Sequence, residues 1–509
     1  QVFPVEYHQA TLKVYLEHIG WLSAGANARA LLTGMMDRVR SAPPPAGETA
    51  EASIFVTFAE ACQSLVQKAD DGMELAHALD LFKALLALAL AMYPETLAYA
   101  EQVLAIAVEL VSKAAPVTEP KCVATLVELT SAPLEHYPST LSVLELSKWP
   151  PLLALLHHEK QKEVASALVA KVLEQAPAID DAAKADKLLS FVRPLVAADP
   201  DHPDDEEDAR PKPVDDDGLA EVLPLCRLLH SFGHSDTDTL CRVLNTAHRH
   251  ASAATRARLV YPMCSVIFGC LRAVRRIKTR ADAGESVEVG VHKLLAFVAT
   301  MVQAVAPLAP TLALRLYLQC ALAADAAGEE GDAYEFVAQA FIVYEEEVSD
   351  SRQQVAAIVS CIATLSHMGR LGEEQYETLA TKATQYSNKL LKKPDQCRAV
   401  CKCAHLFWPP ANPSYREGER VLQCLQRTLK LADGCKATAA GTTLFVEALN
   451  AYLYHFGVAN DHVTAEHLTS LVALVQQHLS ADEGDAAAAT RAFFTNTRLH
   501  LDEKKKADD

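Results

Sequence analysis

Four residues in the segment Lys389 to Trp408 could do chemistry: Cys397, Cys401, Cys403 and His405. Thiolate and imidazole groups ligate zinc, and a cysteine with a nearby histidine can act as a nucleophile with its base. The element that must position them argues against a metal. An α-helix rises about 1.5 Å per residue, so Cys397, Cys401 and His405 share one face but span roughly 12 Å along it. Ligands of one zinc ion must converge to within roughly 2.0 to 2.3 Å of a point. Two of the three could share an ion, a straight helix cannot bring in the third, and a fourth would have to arrive from elsewhere. Buried thiols acting as small apolar side chains are the expected reading. A thiol or zinc enzyme centred on Cys397 to His405 is the enzymatic alternative.

Other catalytic arrangements are missing. The chain has no Gly-x-x-x-x-Gly-Lys-Ser/Thr loop, no His-Glu-x-x-His, no Gly-x-Ser-x-Gly and no Gly-x-Gly-x-x-Gly. His157 and His158 are adjacent and point to different sides of a helix, so they read as surface or capping residues. His248 and His250 face the same objection. The sequence is therefore that of a non-enzyme, with no cofactor and no metal expected.

Helical periodicity recurs almost everywhere. Val103, Ile106, Ala107, Leu110 and Val111 follow i, i+3, i+4, i+7, i+8. Phe445, Leu449, Tyr452, Leu453 and Phe456 repeat the pattern, as do Leu468, Leu471, Val472, Val475 and Leu479. Pro94, Pro133, Pro138, Pro150, Pro310 and Pro394 punctuate these runs near helix boundaries. Apolar-faced helices joined by short turns read as an all-α, HEAT-like α-solenoid of antiparallel helix pairs with a right-handed superhelix. A repeat of about 40 to 47 residues allows about a dozen pairs.

Composition agrees with such an array. The chain has 509 residues, half of them hydrophobic and only 6% aromatic, too many for one compact core. With 47 basic against 65 acidic residues the net charge is −18, which argues against a nucleic-acid surface. The local basic run Arg272, Arg275, Arg276, Lys278 and Arg280 ends an apolar helical stretch, where cations suit the helix dipole. Thirteen cysteines, an odd number without disulfide spacing, fit a reducing cytosol. The uncharged run Ala84 to Tyr93 is about half of the roughly 20 residues a bilayer needs. No basic amphipathic anchor is evident, so membrane contact is expected to be indirect. Gln1 is no initiator Met and no signal-like start is visible, which reads as a fragment lacking its true N-terminus.

From Asp199 to Asp217 the chain is dominated by Asp, Glu and Pro, cannot bury apolar surface and repels itself, so a disordered loop is expected there. Ser41 to Ala50, with Pro43, Pro44 and Pro45, reads as a smaller loop. Charge also marks two groups about 40 residues apart: Glu345, Glu346, Glu347 and Asp350, then Lys389, Lys392 and Lys393. A separation of one repeat brings them to nearby helix ends, and a two-fold axis would make such a pair self-complementary. Leu390 and Leu391 would add apolar contact.

The segments Tyr334 to Ser351 and Lys389 to Trp408 resemble the vacuolar protein sorting-associated protein 35 family, the large α-solenoid subunit of retromer. Pro307 to Ala324 and Glu447 to Tyr454 add support, and weaker similarity runs from Gln1 through the acidic stretch. The resemblance implies a cytosolic scaffold, peripheral on endosomal membranes, for retrograde and recycling transport of membrane cargo. It implies that residues 1–198 are the middle part of the solenoid, 199–217 an acidic loop, and 218–509 the C-terminal solenoid that binds a small phosphoesterase-fold subunit and self-associates. Carried over by motif, the phosphoesterase-fold subunit should depend on His405, Leu406, Phe407 and Trp408. Self-association should involve Glu345, Glu346, Glu347, Asp350, Lys389, Leu390, Lys392 and Lys393. The family's Pro-Arg-Leu-Tyr-Leu motif for its arrestin-like subunit is not found. Leu314 to Leu318 imitates it with neighbours of the C-terminal half, so that site is expected outside this fragment. Sorting nexin adaptors and cargo would be reached indirectly, and cargo identity cannot be read. The alternative is a generic helical-repeat scaffold of phosphatase-regulatory or nuclear-transport type.

Overall fold

A computed structural model of the chain describes residues 4–19, 25–45, 53–67, 73–114, 117–199, 214–436, 441–481 and 485–508. Among them are twenty-three α-helices and no β-strand. The chain divides into two compact units, residues 1–269 and 270–509.

The first unit holds α1 (Val5–Ile19), α2 (Gly25–Val39), α3 (Ile54–Gln67), α4 (Leu75–Met92), α5 (Leu97–Ala114), α6 (Pro120–His136), the short α7 (Thr140–Val143) and α8 (Trp149–Leu153), α9 (His158–Gln175), α10 (Ala182–Phe191), α11 (Asp216–Ser231) and α12 (Thr237–Ala251); the division falls within α13 (Arg256–Asp282). α2 packs on α3 and α4, and α4 in turn on α5 and α6. α4 and α13 are long and apolar enough to cross a membrane by length and composition. α4 nonetheless buries Leu79, Phe82, Leu85, Leu86 and Leu88 completely or nearly so among its neighbours.

Residues 200–213 of the acidic stretch lie outside the described residues, as do 46–50 of the smaller loop. The last aspartates of the acidic stretch belong to a helix instead. Asp215 caps α11, its carboxylate accepting from Gly218 N at 2.9 Å, and Asp216 and Asp217 occupy the first turn, where negative charge suits the dipole. Pro133 lies inside the last turn of α6 instead of marking its boundary, whereas Pro310 and Pro394 start helices as expected. The basic run on α13 serves local pairs: Lys278 meets Asp282 at 2.8 Å and Arg280 meets Glu285 at 2.7 Å.

The second unit continues with α14 (Val291–Val305), α15 (Pro310–Ala327), α16 (Glu330–Glu347), α17 (Ser351–His367), α18 (Glu373–Lys389), α19 (Lys393–Cys403), α20 (Gly418–Asp433), α21 (Gly441–Gly457), α22 (Ala465–Ala481) and α23 (Asp485–Asp508). α14 shows why these segments are helices: Val291, Leu294, Leu295, Val298, Met301, Val302 and Val305 form one buried stripe. Burying each such side chain contributes roughly 1.5 to 3 kcal/mol. From α15 on, the odd-numbered helices each pack on their successor and on the one after: α15 on α16 and α17, α17 on α18 and α19, α19 on α20 and α21, α21 on α22 and α23. That i to i+2 stacking is the packing of a helical-repeat array.

Turns between repeats are built as carefully as helices. Gly328 ends α15 at φ 84°, a left-handed conformation that glycine adopts without strain, so α16 can follow after two residues. The buried Asp325 carboxylate accepts from Gly369 N at 3.1 Å and Arg370 N at 2.9 Å, tying α15 to the turn after α17.

Candidate functional site

α19 ends at Cys403, and Ala404–Phe407 form a 3₁₀ turn. The stretch Cys403 to Trp408, read from sequence as one helix, is therefore tightened and redirected. The thiols diverge: Cys397 Sγ lies 3.4 Å from Thr428 O on α20, and Cys403 Sγ lies 3.3 Å from Ser387 Oγ on α18. Burial pushes the Cys397 and Cys401 thiols up to about 12 and Cys403 up to about 11, so they stay protonated at neutral pH. A protonated thiol is neither nucleophile nor metal ligand.

His405 is half-buried and opens onto a cleft of about 500 Å³ between α19 and α21, lined also by Lys402, Glu447, Asn450, Tyr454 and Phe493. Its ring meets Tyr454 edge-on at 4.8 Å and His455 at 5.1 Å. Burial, with a smaller contribution from Lys402, holds its pKa below the usual histidine value, so the ring is neutral at pH 7. His455 behind it is completely buried, and neither of its nitrogens has a protein hydrogen-bond partner. Arg398 grips Glu447 with two prongs at 2.9 and 3.0 Å, joining α19 to α21 at the cleft.

The other three residues of the motif differ from one another. Leu406 and Phe407 are core residues, at 0% and 2% exposure, and cannot offer direct contact to a partner. They support the surface from beneath, with the Arg420 guanidinium 4.1 Å from the Phe407 ring centroid. Trp408 is half-buried and carries Arg416 over its ring at 5.0 Å. Resemblance carried the four over as one motif, and the 3₁₀ turn decides which of their side chains face inward.

The charged edge is similarly selective. Glu345, Glu346 and Glu347 are exposed at the end of α16, and Lys389, Lys392 and Lys393 are exposed at and just after the end of α18. The two helices run side by side there: Lys382 meets Glu345 at 2.9 Å and Tyr386 packs on Tyr344. Asp350 differs, because one carboxylate oxygen accepts from Arg352 N at 3.0 Å and Gln353 N at 2.9 Å as the cap of α17. Leu390, expected at the contact, is buried at 3% exposure, whereas Leu391 stands out at 78%.

Sequence reasoning missed Arg398, Tyr454, His455 and Glu447, which come within reach of His405 only through stacking of α19 on α21. It also missed His292, whose Nδ1 lies 2.8 Å from Asp332 Oδ2 across one repeat. Forty residues separate that pair, and no local pattern marks it.

Stacked helices packed in this order define an all-α helical-repeat protein. Comparison with known proteins narrows the class. Residues 1–478 match the family model described as vacuolar protein sorting-associated protein 35, and the chain belongs to that family. It is 34% identical over its whole length to vacuolar protein sorting-associated protein 35A and 33% identical over 98% of its length to 35B, both of Arabidopsis thaliana. A Dictyostelium discoideum relative is 28% identical over 94% of the chain. The chain spans 62% to 65% of the length of these relatives. Protein sorting is what the family's name describes.

Proposed function

We propose that the chain is a non-enzymatic scaffold of the retromer endosomal sorting coat, peripheral on endosomal membranes. Its second unit holds the small phosphoesterase-fold subunit and pairs with a second copy to build coat arches. Sorting nexin adaptors and cargo join indirectly, and the arrestin-like subunit binds outside the present chain. The observation that carries the first part is the His405 cleft: a half-buried neutral imidazole between Lys402 and Tyr454, on a floor braced by the Arg398–Glu447 pair.

The self-association reading is supported by charges set against their helices. Carboxylates at the C-terminal end of α16 and lysines at the N-terminal end of α19 each oppose the helix dipole, costing about 0.3 to 1 kcal/mol apiece. Lys389, Lys392 and Lys393 make no ion pair among the described residues. Lys392 and Lys393, placed at local cost and without an ion pair among the described residues, fit a surface completed by a second copy, with Leu391 beside them as its apolar contact.

Affinity capture of the purified phosphoesterase-fold subunit tests the cleft. The chain should retain it, and His405→Arg, which adds a fixed cation beside Lys402, should release it; retention by His405→Arg would remove the cleft from the interface. Light scattering tests the edge: Lys392→Glu with Lys393→Glu should leave a monomer, and an unchanged dimer mass would refute it.

A further inference from the structure

Stacked helices of the second unit are repeatedly tied by opposite charges. His292 on α14 meets Asp332 on α16, Glu345 on α16 meets Lys382 on α18, Glu377 on α18 meets Arg420 on α20, and Arg398 on α19 meets Glu447 on α21, all at 3.0 Å or less. The α15–α17 pair has no such tie among the described residues. There a cleft of about 240 Å³ is lined by Arg315 and Arg352, with Thr311, Gln353, Leu314 and Ala356. Both arginines are exposed, and neither side chain has a hydrogen-bond or ion-pair partner among the described residues. The nearest carboxylate in sequence, Asp350, is engaged in capping α17.

Two guanidinium groups line one cleft, in a chain of net charge −18, with no ion-pair partner among the described residues. Nothing else in the cleft is acidic. The remaining polar groups are donors of the right kind: the Thr311 hydroxyl and the Gln353 amide. α15 also begins there without a side-chain cap, its first turn adding positive potential to what the arginines already supply. Guanidinium forks bind phosphoryl oxygens two at a time, and a pair of them suits a doubly charged group better than a single carboxylate.

We propose that the Arg315–Arg352 cleft is a docking site for a phosphorylated segment of a partner protein, its phosphoryl group bridging the two guanidinium groups. A peptide source is favoured over an anionic bilayer because no residue lining the cleft is an exposed large apolar one that could insert, and the chain's overall charge repels such a surface. The site is separate from the His405 cleft and does not depend on it.

The test uses the whole chain. A degenerate pool of phosphoserine peptides is passed over immobilised protein, and the retained sequences are resynthesised with and without phosphate for anisotropy titration. Phosphorylated peptides should bind at least about tenfold tighter than their unphosphorylated twins, and Arg315→Ala and Arg352→Ala should each weaken them by about tenfold. Sedimentation with phosphoinositide-containing vesicles is run alongside. No enrichment from the pool, equal affinity of the twins, binding untouched by both substitutions, or binding to vesicles alone would each overturn the proposal. Arg352→Glu supplies a second readout: it puts a carboxylate in the cleft, so peptide binding should vanish while the melting temperature holds or rises. A lowered melting temperature would show that the arginines serve the fold instead.

Discussion

The imidazole rings of His405 and His455 lie with centroids 5.1 Å apart and planes inclined by 36°, the outer one half-exposed and the inner one sealed. The sealed ring controls how this part of the protein responds to acid. Burial first, and His405 second, depress the His455 pKa to about 3. In the unfolded chain the ring titrates near 6.5. Between those values the unfolded state binds the proton and the folded state does not. Stability from this residue is therefore complete above about pH 6.5 and is lost progressively as pH falls toward 3.

His455→Phe should remove that dependence while keeping an aromatic ring in place. Urea unfolding at pH 7 and pH 5 should show a smaller difference for the variant than for the parent. The variant should also be more stable at pH 7 by about 1 kcal/mol or more, since two unsatisfied nitrogens leave the core. An unchanged pH difference would mean that His455 finds a partner for its proton in the folded protein.

Asp350 and its acidic neighbours should separate by measurement. Asp350→Ala removes the cap of α17 and should cost about 1 kcal/mol, with Asp350→Ser recovering most of it. Glu346→Lys with Glu347→Lys should hold or raise thermal stability, because lysines suit the C-terminal end of α16, and weaken self-association instead. Calorimetry and light scattering on the same samples distinguish the two roles.

Gly369 is a position where space, not conformation, excludes a side chain. A β-carbon there would sit 2.7 Å from the Ala411 carbonyl oxygen, which is backbone and cannot swing aside. Gly369→Ala should destabilise by about 1 to 3 kcal/mol. Since Gly369 N also donates to Asp325, hydrogen exchange at that turn should accelerate.

The Arg398–Glu447 bridge predicts coupling between α19 and α21. Its side chains are 41% and 31% exposed, so solvent screens much of the attraction. A double-mutant cycle with Arg398→Ala and Glu447→Ala should give a coupling of roughly 0.5 to 1 kcal/mol, and additive effects would show that the prongs contribute only geometry.

Legibility of the fold rested on local regularity. The stripe Leu468, Leu471, Val475 and Leu479 is buried as its spacing requires, and Val103, Ala107 and Val111 behave likewise. Phe456 does not: it closes an apolar series in the last turn of α21 yet stands 45% exposed. His405 and Trp408 keep surface, but Leu406 and Phe407 turn inward with the 3₁₀ turn, a change of helical pitch that residue types alone do not signal.

By itself, then, the sequence determined an all-α repeat, through apolar residues recurring every three to four positions, and membership of a sorting family, through Tyr334 to Ser351 and Lys389 to Trp408. It also ruled out a joint zinc site on a straight helix, since helical rise is a property of the backbone. Tertiary structure decided which of those residues remain on the surface. Asp350 is set apart from Glu346 locally, as the cap of α17, but Leu390 and Leu391, and the meeting of Arg315 and Arg352 at one cleft, are decided only when helices are stacked. Burial and charge pairing there are set by contacts between repeats, which no local pattern along the chain records.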